Sequence, residues 1–163
     1  MNIKDIVGNK KDFAIQYEIN NVYNGFLYGK FCYWINNIQL GNYDQGVTFN
    51  DLLGTFPNIL LNNNLREDKE NFNLKLEDFE KKIECYTPEI YPFHIAPLID
   101  IFYDVTIYLI ENTNKARFIV KEYYDNKFYN IFEYYTEKKV FHNVFNEVYL
   151  KLNEYFDNFI INN

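Results

Sequence analysis

The chain has no serine, two cysteines and two histidines, so the residues able to carry covalent or metal chemistry can be weighed one by one. Without Ser, a nucleophile elbow and a Ser-His-Asp triad are excluded. Cys32 with His94 or His142 is the remaining nucleophile–base arrangement. It sits in the run Phe31-Cys32-Tyr33-Trp34, where a free Cys behaves as a small hydrophobe rather than a thiolate. Cys32, Cys85, His94 and His142 also supply zinc-ligating atoms, but no two have the close C-x-x-C or H-x-x-x-H spacing of a structural site. Asp100 and Asp104 bracket Ile101-Phe102-Tyr103, as a carboxylate pair across a cleft would; among 23 acidic residues such brackets arise by chance. Gly25 and Gly29 lack a following Gly-Lys, and Gly41 and Gly46 punctuate strand ends, so no phosphate loop is present. The expectation is no catalytic centre, no cofactor and no metal.

Charge points to binding instead. The formal net charge is −7, and residues 61–111 carry five basic and eleven acidic side chains, hence six of the seven excess negative charges. Such a field repels nucleic acid and speeds encounter with a basic partner. The plain alternative is a solvated surface that keeps an aromatic-rich chain soluble. Aromatic residues make up 20% of the chain but are not interleaved with Arg and Lys, as a single-strand nucleic-acid platform requires. Met1 to Asp12 contains Lys4, Asp5, Lys10 and Lys11 and no apolar core, which reads as no secretory leader. No run approaches the length of a membrane span. Two unpaired thiols then suit a cytoplasmic protein.

The elements that would position such a surface follow from periodicity. Phe13, Ile15, Tyr17 and Ile19 alternate with Ala14, Gln16 and Glu18, a strand with one buried face. Residues 26–35 are apolar on both parities, which predicts an inner strand with a buried Trp34. Asn36-Asn37 suits a two-residue hairpin turn into a third strand at about 38–43. Thr48, with Asp51 three residues on, caps a helix through Phe49, Leu52, Leu53 and Phe56 that Pro57 kinks or ends. Residues 65–73 read as polar loop, and Leu76, Phe79 and Ile83 as a short second helix. Pro88, Pro92 and Pro97 mark an irregular connection. Beyond it, 98–110 is strongly β-forming, 112–114 is a turn, 116–124 a strand, Asp125-Asn126 a turn and 128–135 a further strand. Val140, Val144, Val148, Leu152 and Phe156 lie four apart on a last helix over 138–158. The whole chain, 1–163, reads as one α+β domain: an antiparallel sheet of about six strands with helices packed on it, in the order βββ-αα-βββ(β)-α.

Phe13-Ala14-Ile15, Gly29-Lys30-Phe31-Cys32-Tyr33-Trp34-Ile35, Leu40-Gly41-Asn42-Tyr43-Asp44, Asp100-Ile101-Phe102, Ile107 to Glu111 and Ala116-Arg117-Phe118-Ile119 together resemble immunity protein family 42 of bacterial polymorphic-toxin systems. The resemblance implies a non-catalytic protein that binds and blocks a cognate toxin domain. The acidic balance fits a basic nuclease as that toxin, with no nucleic-acid or membrane partner. Two other readings stand beside it: an adaptor domain without a toxin, and a small enzyme using scattered acids or Cys32. The surface expected to meet the partner is the acidic middle third: Glu67, Asp68 and Glu70 in a loop, Asp100, Asp104 and Glu111 around the fourth strand, with Tyr91 and Tyr103 as aromatic anchors.

Overall fold

The computed structural model describes residues 3–85, 88–124 and 128–161. They form two compact units, one drawn from segments within 1–57, 97–103 and 140–163, the other from 58–96 and 104–139.

The first unit holds an antiparallel sheet of five strands: β1 (Ile3–Gly8), β2 (Phe13–Tyr23), β3 (Phe26–Ile35), β4 (Ile38–Leu40) and β5 (Val47–Thr48). Their order is β1-β2-β3-β4, with β5 also on β3. Asn36 and Asn37 take positive φ, 50° and 62°, as the two-residue hairpin requires. Gly29 is dictated by close approach, since a Cβ there would lie 1.7 Å from the Glu18 carbonyl oxygen. β3 is an inner strand, as expected, but only one face is fully covered. Leu27, Phe31, Tyr33 and Ile35 are buried, whereas Phe26 and Tyr28 are exposed and Trp34 is half-buried. The helices pack on that one face. Phe31 meets Phe56 of α1 (Phe49–Leu61) at 6.0 Å, and Phe13 meets Phe141 of α4 (Lys138–Phe156) at 5.2 Å between ring centroids. On the other face Trp34 donates through Nε1 to Gln16 Oε1 at 3.0 Å and lies under the Lys10 ammonium at 3.6 Å.

α1 starts where the Thr48 hydroxyl donates to the Asp51 carboxylate. Pro57 does not end it. One backbone bond is lost there, and the burial of Phe56 and Ile59 on either side keeps the helix running to Leu61. α4 buries Val144, Val148 and Leu152 of the expected stripe together with Phe141 and Phe145, while Val140 and Phe156 at its ends are only half-buried. Among the described residues no helix is long and apolar enough to cross a membrane.

The second unit holds α2 (Lys69–Asn73), α3 (Leu76–Glu84) and an antiparallel sheet of three strands, β6 (Val105–Glu111), β7 (Lys115–Tyr124) and β8 (Phe128–Glu137), in that order. The α+β class holds, but the strands divide between two sheets rather than one. Periodicity reports a strand and not its neighbour, and the outer edge of β6 is taken by loop segments: Arg66 and Ile95 bond the main chain of Glu111 and Ile107 at 2.8 and 2.9 Å. Residues 98–104 are not strand. Asp100–Phe102 is a 3₁₀ turn whose Ile101 carbonyl accepts from the Asn42 N–H at 2.8 Å. Residues 65–73 are not loop throughout, because Asp68 caps α2 and Phe72 is buried beneath it. Phe79 of α3 sits 5.8 Å from the Tyr108 ring, in a core completed by Phe93, Ile110 and Ile119. The turn expected at Asp125-Asn126 lies outside the described residues.

Candidate binding surface

The acidic segment of the second unit is built from its backbone outward. The Asp68 N–H donates to the Glu111 carbonyl at 3.0 Å and the Glu111 N–H to the Arg66 carbonyl at 2.8 Å, so the segment runs along β6. The Asp68 carboxylate then accepts from the Asn71 backbone N–H at 2.9 Å and from Asn71 Nδ2 at 2.7 Å, closing the N-terminus of α2. The other end of α2 is held by Arg117. Its Nη1 donates to the carbonyls of Asn71, Phe72 and Leu74 at 3.1, 3.1 and 2.7 Å. The Asn71 carbonyl also accepts from the Leu74 N–H at 3.4 Å, and the guanidinium supplies donors to the rest of this helix end. The rest of the same guanidinium holds Glu133 of β8, with Nε and Nη2 at 2.8 and 2.6 Å from Oε2.

That scaffold displays Glu67 and Glu70 to solvent and leaves Asp68 half-buried as a cap. The Lys138 ammonium lies 2.7 Å from Glu67 and 3.8 Å from Glu111. Its hydrogen bond and charge hold the Glu67 carboxyl below the usual carboxylate range. Glu111 is 0% exposed, so it cannot present charge to a partner. Tyr91 and Asp104 are exposed in this unit, while Asp100 and Tyr103 are exposed in the other. Part of the acidic excess is already spent internally: Asp78 pairs with Lys81 at 2.9 Å and Glu80 with Lys121 at 3.7 Å. Glu70, Glu77, Glu84, Glu89, Asp100 and Asp104 have no ion pair among the described residues.

The residues weighed for chemistry are placed unfavourably for it. Cys32 is fully buried, and removal from water pushes its thiol up to about 12 despite the nearby charge of Lys10. It is therefore a neutral thiol at any physiological pH. His94 rests against Tyr108 at 5.8 Å between ring centroids, and burial pushes its imidazole below the ordinary value. Cys32 and His142 lie in the first unit, Cys85 and His94 in the second. No group of three potential metal ligands lies among the described residues. The first unit has a cleft of about 620 Å³ at the start of α1, lined by Thr48, Asp51, Gly54, Thr55, Leu98 and Asp100 among others; no His or Cys belongs to its described lining.

Sequence reasoning missed Arg117 and Lys138, the cations that hold the acidic segment in place. One signal was available. The chain has two arginines, Arg66 and Arg117, and both are buried, 0% and 1% exposed. In a lysine-rich chain, an arginine marks a place where a planar fork of donors is needed.

Comparison with known proteins agrees with this architecture. The family model described as immunity protein 42 matches residues 6–151. The crystal structure of CdiI from Burkholderia dolosa AUO158 has a similar fold, with a TM-score of 0.69 at 18% identity, covering 90% of this chain and 99% of that one. No curated protein matches the sequence.

Proposed function

The chain belongs to the immunity protein 42 family, whose function is toxin-neutralising immunity, and on that premise we propose that it works by binding its cognate toxin domain one to one, without chemistry of its own. The observation that carries this is the pairing of family membership with a rigidly built, solvent-facing acidic segment at Glu67–Glu70. The toxin is a basic protein, and a nuclease is the class that suits the net charge of −7. Tyr91 and Asp104 add to the contact surface of the second unit, with Glu111 acting beneath it by holding Lys138, and Asp100 and Tyr103 offer separate contacts on the first unit. The chain acts as one functional domain in the cytoplasm, the match over residues 6–151 running through segments of both units. Host cells expressing the toxin domain encoded beside this chain should survive when the chain is co-expressed and die when it is not. Death in both cases would overturn the reading.

An enzyme that destroys or modifies the toxin is the second reading. The buried neutral Cys32 and a cleft whose described lining holds no His or Cys both weigh against it.

A further inference from the structure

We propose that the outer edge of β8 is where the toxin docks, by adding an extended, basic strand to the second sheet; this rests on the immunity reading above. The Lys138 N–H donates to the Asn114 carbonyl at 2.9 Å, continuing the register in which Glu137 lies opposite Lys115. In an antiparallel ladder, paired and outward-facing residues alternate. The main-chain groups of Asn130, Phe132 and Thr136 therefore face β7, and those of Ile131, Glu133 and Tyr135 face away. None of these three outward N–H groups has a partner among the described residues.

The other sheet edges are shorter or partly occupied. On β1 the Asn9 N–H donates to the Phe13 carbonyl at 3.2 Å, so Ile6 is an outward residue, and its N–H is taken by its own neighbour, Asp5 Oδ1, at 2.8 Å. β4 has three residues and β5 two, too short to template a partner. On β6 the outward groups of Ile107 and Glu111 bond Arg66, Asp68 and Ile95. β8 alone among these has ten residues, an unbroken register, and neither the Pro, Lys nor bulge with which edges are normally blunted.

An edge of alternating free donors and acceptors is complementary to one kind of object, an extended strand. The side chains choose between strands. Glu133 lies on the edge, and its Arg117 clamp sets α2 beside it, with Tyr135 against Phe72 at 5.8 Å. Lys138, which follows β8, carries Glu67 at 2.7 Å. The free edge and the acidic segment thus adjoin within one unit, and the strand they fit carries Lys or Arg. A second copy of this chain, at −7, is the wrong charge.

Amide hydrogen exchange tests this with the toxin domain encoded beside this chain. In the free protein the Ile131, Glu133 and Tyr135 amides should exchange fast while those of Phe132 and Thr136 are slow; in the complex all five should be slow. Tyr135→Pro removes an outward donor without breaking the ladder to β7, so it should weaken binding about tenfold relative to Tyr135→Ala, which loses the same ring but keeps the N–H. A bound, inhibited toxin that leaves the three outward amides fast would overturn the docking site alone. Slow outward amides in the free protein, slower at higher concentration, would assign the edge to a second copy and overturn it equally. Absence of any binding would remove the immunity reading and this proposal with it.

Discussion

Arg117 on β7 and Glu133 on β8 meet at 2.6 Å, and because the same guanidinium also caps α2, one side chain couples the acidic segment to the edge of the second sheet. Arg117 is buried and Glu133 is partly exposed. Removing the arginine would take its donors from the Phe72 and Leu74 carbonyls and leave Glu133 with only the Tyr135 hydroxyl, at 3.2 Å, among the described residues.

Arg117→Ala should therefore destabilise the protein by about 3 kcal/mol. Arg117→Lys should recover less than half of that, because an ammonium cannot span the carbonyls and Glu133 at once. Urea denaturation of the three proteins decides it, and equal midpoints for wild type and the Ala variant would contradict the clamp.

Gly29→Ala should cost about 3 kcal/mol, near the upper range for overpacking. The added Cβ would meet the Glu18 carbonyl oxygen at 1.7 Å, a backbone atom that moves only if β2 and β3 shift together. Thermal unfolding of this variant is the check.

Acid should destabilise the protein in two windows. His94 has a folded-state pKa depressed by burial below 6.5. Its contribution is fully present above 6.5 and is lost as pH falls through the folded value, since the unfolded chain takes the proton more readily. For Asp5, burial works against the carboxylate, but the hydrogen bond and charge of Lys151, with help from the Ile6 N–H, outweigh it and hold the group below 3.8. That contribution is lost only in stronger acid. His94→Gln should flatten the decline in urea midpoints that begins as pH falls below 6.5, and leave the lower window unchanged.

Glu70→Lys should slow association with the toxin several-fold at low salt and leave dissociation unchanged, with the difference fading at high salt. Glu70 is the clean position to reverse. Asp68→Lys would also remove the α2 cap, at about 1 kcal/mol, and Glu67→Lys would face Lys138. Stopped-flow association at two ionic strengths separates the outcomes.

What could be read from the sequence was what one residue type or one period signals alone. The helix at Thr48, the Asn36-Asn37 turn and the centre of the α4 stripe, Val144, Val148 and Leu152, each depend on local spacing, and each is present. The Asp68 cap of α2 is local, but the cations that hold this segment are distant: Arg117 lies far along the chain and Lys138 further still. The division into two sheets was hidden for the same reason, since strand periodicity does not name the neighbour. Of the expected surface, Glu67, Glu70, Tyr91, Asp100, Tyr103 and Asp104 are exposed, whereas Glu111, alike in type, is buried. An acid's sequence context cannot distinguish a displayed carboxylate from one holding a lysine beneath the surface.

The central claim is stoichiometric neutralisation, and the most direct measurement is titration of the toxin's activity with this chain, using the toxin domain encoded beside it. Activity should fall linearly and reach its floor at one equivalent, and Cys32→Ala should give the same line. Complete inactivation by a small fraction of an equivalent, increasing with time, would show turnover and contradict the account.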